Sequence, residues 1–244
     1  MPVQQTIDAS QRTHGPLGRR PVQTSEVVDT PTRMRAWNSV VAVLFLVVAM
    51  WGGYTAIGLP PVVIVGGSGV VAFVIWQRSY LRRPADPSVI LPLFLLTVAA
   101  LDVHMAEEYL GRFGPAMSRL FNISWTERSF VLIFAFVGPC LYALTAIGLY
   151  YRIPLAGFLA WFIFIGPGVA EFTHFIFPLL KPALEPTLPA AITATVANGH
   201  VVAEMPNYWI GATGRYYFPG LYTAILPMIP GIYAIIRLAG RRTP

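Results

Sequence analysis

Three short stretches of this chain set histidine and glutamate at helical spacing among apolar neighbours. They are His104, Glu107 and Glu108 in LDVHMAEEYLGR, Glu171 and His174 in VAEFTHF, and His200 and Glu204 in NGHVVAEMPNYW. Residues three or four apart share one face of a helix, so each stretch offers a small ligand cluster pointing one way. A charged side chain deep in a bilayer costs about 2.5 to 3.5 kcal/mol, so such faces turn inward and find partners. With Asp102, the apolar segments hold five carboxylates and three histidines but no Lys or Arg. Protons or bound cations must therefore balance the charge, because buried unpaired carboxylates cost several kcal/mol each.

Two divalent transition metals would neutralise Glu107, Glu108, Glu171 and Glu204, with His104, His174 and His200 as neutral nitrogen ligands. Carboxylate-rich sites with imidazole on helices are the pattern of di-iron and di-manganese bundles, which favours iron, with zinc or manganese as alternatives. Of the three clusters only Glu171 and His174 have the Glu-x-x-His order, so the analogy is one of ligand chemistry and not of fold. Asp102 lies about 200° around the helix from His104, which suits orienting an imidazole or a catalytic role beside it. Tyr208 is read as a second catalytic group, and Asn198 and Asn207 as hydrogen-bond donors to a substrate.

The elements that must position these groups are apolar runs, in a chain of which 55% is hydrophobic and only 11% charged. Runs long enough to cross a hydrocarbon core of about 30 Å give an all-α fold, a polytopic transmembrane helix bundle with six or seven spans. The segments are drawn at 36–58, 62–77, 88–110, 129–151, 154–180, 190–210 and 216–236. Residues 1–35 read as a disordered basic tail that includes His14, residues 36–238 as the transmembrane helical domain, and 239–244 as a short C-terminal tail. The tail is expected to be retained, because the first apolar run begins too late for a signal peptide.

The formal charge of +6 resides at segment ends, where it sets orientation rather than binding nucleic acid. Positive-inside counting puts Arg12, Arg19, Arg20, Arg33, Arg35, Arg78, Arg82 and Arg83 in the cytoplasm of a bacterial cell. Seven spans would then leave the basic C-terminus outside, a conflict that disappears if the sixth segment or a shortened second does not cross. The mixed stretch 111–128 is expected on the membrane surface, with Arg112 and Arg119 at headgroups. Trp37, Trp76, Trp125, Tyr216 and Tyr217 read as interfacial anchors, and the lone Cys140 as packing. Gly166, Pro167 and Gly168 before Glu171, and Pro206 after Glu204, predict bends beside the site.

At His104-Met105-Ala106-Glu107-Glu108 the chain resembles the bacterial membrane-protein family named HXXEE. The resemblance implies a multi-span protein with a catalytic site and brings no reaction with it. It carries only His104, Glu107 and Glu108; the remaining candidates rest on spacing.

Together these features lead to a membrane-embedded non-haem di-iron oxidase or oxygenase of a lipophilic substrate reached from the bilayer. It would take electrons from a donor protein, since no Gly-x-Gly-x-x-Gly follows a strand. Alternatives are a zinc-dependent intramembrane hydrolase, a metal-free acid/base lipid isomerase and an ion-coupled transporter.

Overall fold

The computed structural model describes residues 31–239, so the N-terminal tail with His14, and the last five residues, lie outside the described part. The fold is mostly helical. Five helices are long and apolar enough to cross a membrane: α1 (Thr32–Ala56), α2 (Leu59–Arg78), α3 (Pro87–Leu110), α5 (Glu127–Tyr150) and α6 (Pro154–Leu179). A shorter apolar helix, α8 (Ile225–Ala239), closes the described chain. Helix α1 starts at Thr32, inside the stretch expected to be tail.

Local chemistry sets the helix boundaries. Asp86 caps α3 by accepting from the Ser88 amide at 2.9 Å, with Pro87 in the first helical position, where its missing N–H costs nothing. Thr126 caps α5 through Ser129. Helix α6 changes character beyond Pro167: from Ala170 to Phe175 it tightens to three residues per turn. The bend expected beside Glu171 is therefore a change of helical pitch. Within α5, Leu132–Val137 widens into a π-helical turn with none of its residues buried.

Helices α3, α6 and α8 pack on one another at the centre, with α2 against α6 and α1 outermost against α2. Gly168 and Gly231 let the backbones of α6 and α8 come together; a Cβ added at Gly168 would stand 2.9 Å from the Gly231 Cα. One apolar core gathers Trp76, Ile90, Phe94, Phe158, Trp161 and Phe164. Trp76 is fully buried, its indole N–H donating to the Pro154 carbonyl at 2.8 Å, so it is a core residue and not an interfacial anchor. A second core at the opposite end gathers Phe113, Met117, Trp125, Phe130, Phe177 and Phe218. Trp125 belongs to this core, whereas Trp37 and Tyr216 are exposed. Cys140 is exposed rather than packed.

The sixth expected span is not a helix. Residues 192–205 form an antiparallel hairpin, β1 (Ile192–Ala197) and β2 (His200–Met205), with Ala197 opposite His200 and Ile192 opposite Met205. The physical reason is local. ITATVA is rich in β-branched residues, and Asn198-Gly199, both at positive φ (47° and 78°), is the strongest two-residue hairpin turn. The seventh segment is shortened, because 216–224 is a turn-rich loop and helix begins only at Ile225.

The stretch 111–128 also departs from its surface reading. Helix α4 (Phe113–Phe121) is buried between the bundle and the hairpin, and Arg119 is 1% exposed. Its guanidinium donates to the carbonyls of Ala190 (2.7 Å), Met205 (3.1 Å), Glu185 (2.7 Å), Leu188 (2.6 Å) and Leu184 (3.4 Å). Arg119 thus organises the cap over this end of the bundle rather than a headgroup. Arg112 likewise pairs with Glu204 of the hairpin and with Glu127 at 3.9 Å.

Candidate metal centre

Four side chains from two helices converge beneath this cap. His104 and Glu108 stand at i and i+4 on α3, and Glu171 and His174 at i and i+3 on the tightened end of α6. The tightening matters, because at three residues per turn positions i and i+3 eclipse, which brings Glu171 directly over His174. Glu171 Oε2 is 2.8 Å from His174 Nε2 and 3.1 Å from His104 Nε2. Glu108 Oε1 is 3.2 Å from His174 Nε2 and 3.5 Å from His104 Nε2. One ligand atom from each residue lies within 4.8 Å of every other. His104, Glu108 and His174 are buried, and the Glu171 side chain keeps 14% exposure.

The far edges of both rings fix which nitrogen faces the centre. His174 Nδ1 lies 2.8 Å from the Pro219 carbonyl, which can only accept, so Nδ1 carries the proton. His104 Nδ1 lies 3.0 Å from the Thr223 hydroxyl. That hydroxyl donates to Glu107 Oε2 at 2.6 Å, so it accepts from His104 Nδ1–H. In the neutral rings both Nε2 lone pairs therefore point at carboxylate oxygens. Lone pair against lone pair is repulsive, so each Nε2 needs either its own proton, donated to the carboxylates, or a metal cation shared with them. Glu108 Oε2, buried and without a hydrogen-bond partner, is a further acceptor in want of a positive charge.

These four residues could hold a divalent ion. The four His–Glu separations run from 2.8 to 3.5 Å, close to the roughly 3.3 Å edge of a tetrahedral site with bonds of about 2.0 Å, while the whole set spreads to 4.8 Å, so an ion would draw the ligands together. Two carboxylates and one divalent cation also sum to zero charge, which suits an apolar setting. His174 is walled by Phe113 and Phe177, with ring centroids at 5.3 and 5.6 Å, which keeps water from that side.

The other sequence candidates lie elsewhere. Glu107 is not in the cluster; its carboxylate accepts from the Thr223 amide (2.9 Å) and hydroxyl and from the Tyr222 amide (3.4 Å), so it stands behind His104. His200 is exposed at the start of β2, and Glu204 pairs with Arg112, because their stretch is strand and not helix. Asp102 is exposed on α3 and touches neither imidazole, as its 200° offset from His104 requires. The Tyr208 hydroxyl donates to the Gly111 carbonyl at 2.9 Å, fixing the α3–α4 junction, and burial raises its pKa. Asn207 donates to the Pro186 and Leu188 carbonyls, and Asn198 forms the hairpin turn, its amide donating to Asn122. None of these three meets the cluster, so their roles are in the cap.

Sequence reasoning missed the loop before α8. Pro219, Gly220 and Thr223 close the site, and Gly220, at φ +89°, fits where a Cβ would stand 2.6 Å from His104 Cε1 and 2.7 Å from His174 Cε1. Tyr217, expected at the interface, hydrogen-bonds Glu107, and burial followed by that negative charge raises its pKa. The Pro-Gly pair was the available signal, since it marks a turn at which backbone can approach closely.

Comparison with known protein families, curated proteins and solved structures finds no match for this chain.

Proposed function

We propose that this protein is a membrane-embedded metal-dependent hydrolase of a lipophilic substrate, with one divalent transition metal, zinc in the leading reading, held by His104, His174 and Glu108. The observation that carries the reading is the convergence of two bare Nε2 atoms and two carboxylates, one of them partly exposed, under a lid of cap residues. The resemblance of His104-x-x-Glu107-Glu108 to the HXXEE motif touches two of these four residues, His104 and Glu108.

When bound, zinc activates water near neutral pH and polarises a carbonyl. The chain's own residues do the rest. His104 and His174 are locked in the Nδ1–H tautomer by Thr223 and Pro219, which keeps their Nε2 lone pairs inward without rearrangement. Glu171, the least buried member at 14% exposure, is the group whose carboxylate accepts the proton from water and returns it to the leaving group. Phe113 and Phe177 exclude bulk water and strengthen these electrostatic contacts.

The reading places the chain in the cytoplasmic membrane of a bacterium with its N-terminus inside. The antiparallel helices support it: Arg33, Arg35, Arg78, Arg82, Arg83, Arg152 and Arg237 all fall at one end of the bundle, and the hairpin and metal centre at the other. With the sixth segment a hairpin, Arg237 at the end of α8 joins the other basic ends and the topology conflict disappears. His104 stands six residues before Leu110, about 9 Å of helix, so the site is shallow and within reach of the outer leaflet.

Elemental analysis of the purified full chain in detergent, with hydrolysis of lipophilic ester and amide probes in air and without oxygen, tests the proposal. About one zinc per chain is expected, from a ligand set for one ion, together with turnover indifferent to oxygen. Two iron ions per chain and oxygen-dependent turnover would restore the dinuclear oxidase and its electron-donor protein. Full turnover in metal-free protein would overturn the metal reading and leave acid/base chemistry on the same four groups.

A further inference from the structure

A groove with a volume of about 460 Å³ runs between the end of α3 and the start of α5, lined by Tyr109, Glu127, Arg128, Val131, Leu132 and Phe136. Its lining is graded. Glu127 and Arg128 occupy the first turn of α5 at the capped end of the bundle, and Val131, Leu132 and Phe136 follow along the helix toward the membrane interior. Glu127 is engaged by Arg112, whereas Arg128 makes no ion pair among the described residues. Leu132 and Phe136 are 59% and 63% exposed, and both belong to the π-helical turn of α5.

A groove with an unpaired guanidinium at its interfacial mouth and an apolar floor one to two turns deeper has the polarity profile of an amphiphile. The guanidinium presents a planar fork of donors that matches phosphate oxygens, and the apolar floor accepts a hydrocarbon chain. We propose that this groove is a binding site for a membrane phospholipid, its phosphate on Arg128 and one acyl chain laid over Val131, Leu132 and Phe136. Tyr109, which lines the groove, directly follows Glu108 on α3, so an occupied groove braces the α3 turn that carries Glu108. The site stands on its own geometry and holds whether or not the metal reading does.

The test is native mass spectrometry of the delipidated full-length protein in detergent, titrated with phosphatidylglycerol, phosphatidylcholine and diacylglycerol of equal chain length. Both phospholipids should be retained about tenfold more strongly than diacylglycerol, the ratio expected for one charge-assisted phosphate contact. Arg128→Gln should abolish that preference, Arg128→Lys should keep part of it, and Phe136→Ser should weaken all three lipids together. Circular dichroism confirms that each variant is folded. Equal retention of the three lipids, an unchanged preference in Arg128→Gln, or displacement of phospholipid by millimolar inorganic phosphate would each overturn the proposal, the last by reducing the site to a simple anion contact.

Discussion

Glu107 and Thr223 meet across the bundle, the Thr223 hydroxyl donating to Glu107 Oε2 at 2.6 Å while accepting from His104 Nδ1 at 3.0 Å. The relay makes Glu107 a positioning residue, acting on the centre through the tautomer of His104. Thr223→Val should lower zinc affinity by about 10- to 100-fold, the usual effect of removing such a partner, and Thr223→Ser should restore it. Nitrogen chemical shifts of His104 in the metal-free protein give the decisive signature. If Thr223→Val leaves the Nδ1–H tautomer and the affinity unchanged, the relay has no role.

The assignment of ligands is tested by the contrast between clusters. His104→Ala, Glu108→Ala and His174→Ala should each reduce zinc content to a small fraction of wild type, because each removes a group at the point of convergence. His200→Ala and Glu204→Ala should leave it intact, since both residues belong to the hairpin. Loss of metal in His200→Ala would reinstate the larger, dinuclear ligand set.

Gly220 and Gly199 separate two costs of a missing glycine. Both have positive φ, but a Cβ at Gly199 meets nothing within 4 Å, whereas one at Gly220 meets both imidazoles. Gly199→Ala should cost about 1 to 2 kcal/mol of backbone strain with zinc binding unchanged. Gly220→Ala should carry a similar strain and lose zinc binding as well, because the rings must move apart. Thermal unfolding with and without added zinc distinguishes them: only Gly220→Ala should lose the zinc-dependent rise in melting temperature.

The five long helices were legible in the sequence because uninterrupted apolar length is a strong and local signal, and their observed limits fall close to those drawn. His104, Glu108, Glu171 and His174 were legible for the same reason, each pair lying within one helical turn. The reading failed where a local preference opposed average hydrophobicity. ITATVANGHVVAEM is apolar enough to be taken for a span, yet its β-branched residues and Asn198-Gly199 turn commit it to a hairpin, which carried His200 and Glu204 out of the site. Glu107 failed for a subtler reason. One helical face holds both i+3 and i+4, and only packing decides which of two adjacent glutamates faces the centre; the other met Thr223, 116 residues away in sequence.

Arg119 should prove essential to the cap and dispensable for the metal. Its guanidinium satisfies backbone carbonyls from Leu184 through Met205, a spread that the ammonium of lysine cannot cover. Each buried carbonyl left without a partner costs about 1 to 3 kcal/mol, so Arg119→Lys should loosen residues 183–207. Limited proteolysis should cut that region faster than in wild type while zinc content stays near one per chain. Uniform resistance would mean that the hairpin holds its place without Arg119.

Glu171 decides whether the centre performs hydrolysis. It is the least buried member of the cluster, at 14% exposure, and its Oε2 lies within 3.1 Å of both Nε2 atoms, so it can serve as a fourth ligand or as the proton acceptor. The two roles diverge in Glu171→Gln, which keeps an oxygen ligand of the same reach but cannot take a proton at neutral pH. If Glu171 is the acceptor, zinc content should fall little while kcat drops by about 100- to 10,000-fold, the usual contribution of a general base, with KM nearly unchanged. Glu171→Asp, which shortens the side chain and keeps the carboxylate, should recover part of the rate. A variant that loses zinc and activity in proportion, with no separate fall in turnover per bound ion, would reduce Glu171 to a ligand and leave the proton to another group.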